Sequence, residues 1–195
     1  MALMVEELKK IDPRQLDFIL WLSSPALAKN EKKREMLYCH AVSIGEQTAH
    51  QYVLDRNRLE EEAYRLGITA IQSCGEHEKT RAYYLPDTKE IFCNSFFAAE
   101  MADFFVRENI GAFSAGDIRN ALICHELFHH IEHTFSEPVD VWLKKRYKTS
   151  VSPIYRDMAA FAFTNHVLDT RCQLVDLFWL KMHHFETYQD IIEKL

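Results

Sequence analysis

Apolar positions spaced three and four apart dominate the chain, and this helical rhythm gives way only once. Asp12-Pro13 has the form of a helix N-cap followed by its first residue, and "RQLDFILWL" continues the segment towards a break at Pro25. From Glu31 to Leu66 the pattern is helical and mostly amphipathic, long enough for two helices. Gly67, after "EEEAYRL", has the position of a C-cap. The rhythm then changes. "ITAIQSC" and "RAYYLPDTKEIFCN" place β-branched and aromatic residues around a Pro-Asp turn, predicting a short strand and then a hairpin that turns at Leu85-Pro86-Asp87-Thr88. Helical spacing returns over Ser95 to Asn109 and stops at Gly111. Ser114, three residues before Asp117, forms a variant of the capping box and predicts a helix from Ala115 to about His133. Ser152-Pro153 opens another helix over "IYRDMAAFAFTNHVL", and Leu174 to Leu195 reads as a last amphipathic helix.

The order of helices, sheet and helices predicts an α+β chain, mostly helical, with a small antiparallel sheet or hairpin ahead of the helix that starts near Ala115. At 195 residues a single domain over 1–195 is the simplest organisation, with an N-terminal helical part at 1–66, a core at 67–170 and a C-terminal helix at 171–195. The chain is 48% hydrophobic and has only five Gly and five Pro, which is enough apolar material for a buried core and excludes a disordered chain. A net charge of -6 argues against nucleic acid as a partner. The one basic run, Lys144, Lys145, Arg146 and Lys148, reads as a solvated helix face. The first ten residues have no apolar core of signal-peptide length and no apolar run approaches the ~20 residues of a membrane span, so a cytoplasmic protein without a membrane partner is expected. Five scattered cysteines without a CxxC pair predict buried thiols rather than disulfides or a thiolate metal site.

Candidate chemistry is concentrated in "ICHELFHHIEH", Ile123 to His133, where four histidines and two glutamates interrupt an apolar stretch. His125-Glu126-Leu127-Phe128-His129 fits H-E-x-x-H. Residues four apart share one helix face about 6 Å apart along the axis, so both imidazoles can point a ring nitrogen at one ion at about 2.0–2.1 Å. Glu126 lies beside that face, where it can reach water on the metal without ligating, the position of a general base. A shuffled chain of this composition would show the pattern about 0.05 times by chance, so context has to carry the assignment. Ile118, Ala121, Leu122, Ile123, Cys124, Leu127, Phe128 and Ile131 surround the helix with apolar residues. Titratable groups in such a place need a partner or a metal, and zinc is the simplest one. The plainer reading is a set of partly exposed, hydrogen-bonded histidines. His133, about 12 Å along the axis from His125, is too far to share an ion with it and reads as a surface residue or as a support behind the ligands.

A catalytic zinc takes three protein ligands and leaves one position open. Asp157 is the best candidate for the third, being the only carboxylate of its helix before Asp169, with Ala159, Ala160 and Ala162 allowing a close approach to the metal helix. Its plainer reading is a salt bridge or a carboxylate that favours the helix N-terminus. Glu132, Glu137, Asp140 and His166 are the reserves. Tyr155, His166, Tyr83 and Tyr84 are candidates for a second electrophile, each with a packing role as the plainer reading.

Three pieces of the chain, "RAYYLPDTKEIFCN", "IRNALICHELFHHIEH" and "RDMAAFAFTNHVL", resemble the ImmA/IrrE-type zinc metallopeptidases, a gluzincin-like group. The last piece looks like that group's E-x-x-A-N-x-F-A segment, and the resemblance runs from about Ile68 to Leu168, roughly half the chain. It implies a zincin-like fold, zinc held by His125, His129 and Asp157, Glu126 as catalytic base, and a protein or peptide substrate cut in an intracellular regulatory role. There are two departures. Phe128 stands where the family has Gly, and Asp157 where it has Glu, one methylene longer. The alternatives are a zinc-bound interaction module without hydrolysis and a helical binding protein without metal.

Overall fold

The computed structural model describes residues 11–17, 19–20, 31–75, 80–108 and 113–193, so Pro25 and Gly111, read above as helix ends, lie outside the described residues. Helix α1, Pro13–Asp17, is capped as its sequence predicts, the Asp12 carboxylate accepting the Arg14 N–H at 2.9 Å. The long helix α2, Glu31–Tyr52, leads through a single 3-10 turn, Arg56–Arg58, into α3, Leu59–Arg65. Gly67 then takes φ +100°, and the Ile68 and Gly67 amides return to the carbonyls of Ala63 and Tyr64 at 3.1 and 3.0 Å. That pair of bonds closes α3 in the manner that only a residue without Cβ adopts without strain.

The sheet contains β1, Ala70–Cys74, β2, Ala82–Leu85, and β3, Glu90–Asn94, in the order β1-β3-β2. β2 and β3 form the expected hairpin, its four-residue turn ending on Lys89 at φ 56°. β1 pairs parallel to β3, however, so the sheet is mixed and the expectation of an antiparallel sheet is corrected. Alternation of residue type marks strands but not their partners. The chain leaves β1 and re-enters at the same end of the sheet, so β2 runs back and the hairpin returns β3 alongside β1. The most buried strand takes the middle: Ile91 and Cys93 are fully buried there, whereas β2 has no buried residue and β1 only Cys74.

Helix α4, Ser95–Arg107, starts directly from β3, with the Asn94 side chain accepting the Phe97 N–H at 3.0 Å. Helix α5, Ala115–Phe135, begins with the predicted capping box, Ser114 and Asp117 each accepting the other's backbone N–H. Such a cap contributes about 1 kcal/mol. Helix α6, Val139–Tyr147, carries the basic run with Lys144, Lys145 and Arg146 exposed. Helix α7 spans Ile154–Leu168. The tail is two helices, α8, Gln173–His183, and α9, Phe185–Ile192, separated by His184 at φ -141° and ψ 60°. The expected single helix is corrected here: both pieces keep a helical period, so the pattern conceals a one-residue break.

Helix α5 is the centre of the molecule. Ile123, Cys124, Leu127, Phe128 and Ile131 pack with α2, α3, β3, α6 and α7, while Ile118 near its start joins a second cluster built from α1, α4, α8 and α9. Helix α7 is pressed between α2 and α5. A Cβ on Gly45 would run into the Ala159 carbonyl and the Ala162 methyl, so those two alanines face α2, not the metal helix as the sequence suggested. Asp157 and Phe161 lie on the side towards α5, where the Phe161 ring stands 4.8 Å from that of His125. Among the described residues, no helix is long and apolar enough to cross a membrane.

Two predictions follow from this packing. Gly45→Ala should force α2 and α7 apart and lower the unfolding free energy by about 1–3 kcal/mol in urea titrations; unchanged stability would refute the close approach. Asp17, 3% exposed, accepts the Tyr38 hydroxyl at 2.6 Å, and burial pushes its pKa up to about 6 despite that bond. A raised carboxylate pKa stabilises the fold below about pH 4 and loses that contribution as pH rises through 6. Asp17→Asn, neutral throughout, should therefore gain about 2–3 kcal/mol on the wild type between pH 4 and 7.5. A stability difference that stays flat over that range would contradict the buried charge.

Candidate metal centre

His125 and His129 sit one turn apart near the middle of α5, their ring centroids 5.1 Å apart. Asp157, in the first turn of α7, points its carboxylate at both: Oδ1 is 3.8 Å from His125 Nε2 and 3.5 Å from His129 Nε2. One ligand atom from each of the three residues falls within 4.8 Å of the other two. Around a tetrahedral zinc at 2.0–2.1 Å from each ligand, neighbouring donor atoms stand roughly 3.3 Å apart. The two carboxylate–imidazole separations lie within about 0.5 Å of that spacing, and with all three ligand atoms inside 4.8 Å the residues present fit such an ion after side-chain adjustments on the order of an ångström. His125 and His129 are largely buried and Asp157 is half exposed, which leaves the site open on one side.

That side is a cleft of about 700 Å³, lined among others by His125, Glu126, His129, Asp157, Tyr83 and Tyr84. Glu126 faces it at 8% exposure. Its floor is apolar, with Ile118, Leu122 and Val175, and Arg81 and Asp176 form an ion pair on its wall. The Arg81 guanidinium lies 5.2 Å from the Phe97 ring centroid and 4.9 Å from that of Trp179. Comparisons with protein-family models, characterised proteins and solved structures find no match. The chemistry of the residues therefore carries the functional argument.

The electrostatics suit a cation. Burial disfavours charge on His129, but hydrogen bonds that its ring donates to Asp157 and Glu132 outweigh it and raise its pKa to about 9. For Asp157, the two histidines more than cancel the upward push of burial and hold the carboxyl well below its ordinary range. Carboxylates on two sides of His129 thus favour positive charge at this point.

Several of the other candidates have different roles. Glu132 is 2% exposed; its carboxylate takes the Val139 N–H, the Arg156 guanidinium and the His129 ring. Glu137 pairs with Lys145, and Asp140 lies 3.9 Å from Arg156. His166 packs on His50 and lines a separate cavity, and Tyr155 is buried in the core, so neither serves as the second electrophile. Tyr83 and Tyr84 both line the cleft, the Tyr84 hydroxyl bonded to His130 Nδ1 at 2.9 Å. His130, fully buried, also meets the Leu66 carbonyl at 3.0 Å, tying the hairpin and α3 to α5. His133 is exposed, as predicted. Phe128 is 1% exposed and packs on Phe163, so its ring belongs to the core rather than to the cleft. Arg156 was missed from sequence; its position beside Asp157, one residue along α7, was the available signal.

A metal must displace the His129 proton to bind. Because the raised pKa makes that proton persist up to about 9, zinc affinity measured by chelator competition should climb by up to about tenfold per pH unit between pH 6.5 and 8.5. An affinity independent of pH over that range would contradict the assignment of His129 as a ligand.

Proposed function

We propose that this chain is a zinc-dependent metallopeptidase that hydrolyses a peptide bond with metal-activated water, as its resemblance to the ImmA/IrrE-type enzymes implies. The observation that carries this reading is the convergence of His125, His129 and Asp157 within 4.8 Å on the wall of a cleft that Glu126 also lines. Two imidazoles and a carboxylate form a donor set that zinc accepts in catalytic sites, with a position left for solvent. A zinc ion held there would supply Lewis acidity, lowering the pKa of water towards ~7 and drawing charge from the substrate carbonyl.

The chain's own residues do the rest. Glu126 takes a proton from the attacking water and returns it to the departing amine, a role suited to a carboxylate that is nearly buried yet faces the cleft. β2 is an edge of the sheet and lines the cleft, so an extended peptide can pair with its backbone beside the metal. Tyr83 and Tyr84, on that strand, also line the cleft, with the Tyr84 hydroxyl engaged by His130. The apolar floor of Ile118, Leu122 and Val175 receives an apolar side chain of the substrate.

Zinc-loaded protein incubated with a complex peptide mixture should generate new termini detected by mass spectrometry. Glu126→Gln should bind zinc as well as the wild type and cut about 10²–10⁴-fold more slowly. Equal cleavage by both proteins, or none by either, would overturn the reading, and zinc retention without cleavage would favour an interaction module.

A further inference from the structure

Glu132 is the most heavily engaged buried charge near the metal centre. Its side chain is 1% exposed. Oε1 accepts the Val139 N–H at 2.6 Å, and Oε2 accepts both Nε and Nη2 of Arg156 at 3.0 and 2.8 Å. The same Oε2 lies 3.3 Å from Nδ1 of His129. The other ring nitrogen of His129, Nε2, faces Asp157. The imidazole is thus bracketed by two carboxylates, one behind it in the core and one across the proposed metal position.

We propose that Glu132 and Arg156 are a positioning pair for the metal centre: Glu132 holds the proton of His129 on Nδ1, so that Nε2 is presented to the ion, and Arg156 locks Glu132 in place. This rests on the metal site of the preceding reading but not on hydrolysis. A histidine whose Nδ1–H donates to a fixed carboxylate has one tautomer and one ring orientation, and its Nε2 lone pair becomes a better donor. The spacing supports the assignment. His129 and Glu132 are three residues apart on α5, so the acid stands on the turn following its histidine. Arg156 precedes Asp157 on α7, so the fork on Glu132 also ties α7 to α5 beside the third ligand. Every polar atom of Glu132 is used in this arrangement, and the end of α5 is joined to the start of α6 through Val139.

Gln cannot reproduce it. If its carbonyl takes the Val139 N–H, its amide donors face the donors of Arg156 and His129; if it turns over, the amide meets the Val139 N–H. Glu132→Gln should weaken zinc binding about 10–100-fold, with one zinc per chain still bound at saturation. In proton–nitrogen NMR spectra of the zinc-loaded protein, the wild-type His129 Nδ1–H should appear downfield and protected from solvent exchange, and the variant should lose that protection. Arg156→Lys keeps the charge and removes the fork. It should weaken zinc binding several-fold and carries the test if circular dichroism shows Glu132→Gln unfolded. Wild-type zinc affinity and an unchanged, protected His129 Nδ1–H signal in the folded variants would overturn the pair as a positioning device while leaving the metal site standing. A wild type that binds no zinc would overturn both.

Discussion

The geometry of the candidate centre depends on one packing constraint: helix α7 lies close enough to α5 for a side chain as short as aspartate to reach a histidine pair on the neighbouring helix. Two features enforce that approach. On one side, α2 presents Gly45 to the backbone of Ala159, so nothing wider than a hydrogen separates α2 from α7 at that point. On the other, Phe128 of α5 packs on Phe163 of α7, and Phe161 of α7 lies against His125. Phe128 is therefore part of the contact that brings Asp157 within range of the two histidines.

Around that contact the polar groups are arranged in layers of increasing burial. Asp157 is half exposed, His125 and His129 are mostly covered, and Glu132 is sealed behind them. Carboxylates on both sides of His129 make the pocket favourable for positive charge. His130 and Tyr84 form a second polar contact, which ties the hairpin to α5. Since β2 lines the cleft, that contact sets where a peptide paired with the strand would lie relative to the metal. The fold thus positions its chemistry with one buried helix, a second helix pressed against it and a hairpin pinned across the top.

Much of this was legible in the sequence, for reasons that differ by element. The start of α5 was visible because Ser114 and Asp117 satisfy each other's backbone, a local event that needs no tertiary context. The end of α3 was visible for the same reason, because Gly67 adopts a conformation open to few other residues. His125 and His129 were legible because a spacing of four is itself a distance on a helix. The parallel pairing of β1 was hidden, since alternation does not encode a partner. The break at His184 was hidden because neither Pro nor Gly marks it. Asp157 was reached by elimination along its helix, whereas Glu132 and Arg156 depend on how two helices cross, and no periodicity within one helix shows that. The alanines of α7 were noticed but assigned to the wrong neighbour: two of them serve α2.

The most direct test of the central claim is X-ray absorption spectroscopy at the zinc edge of protein loaded with one equivalent of zinc. The account predicts a first shell of nitrogen and oxygen only, at about 2.0–2.1 Å, with the outer-shell signature of two imidazoles and a coordination number near four. Failure to retain zinc, a sulfur shell near 2.3 Å, or a single imidazole would contradict it.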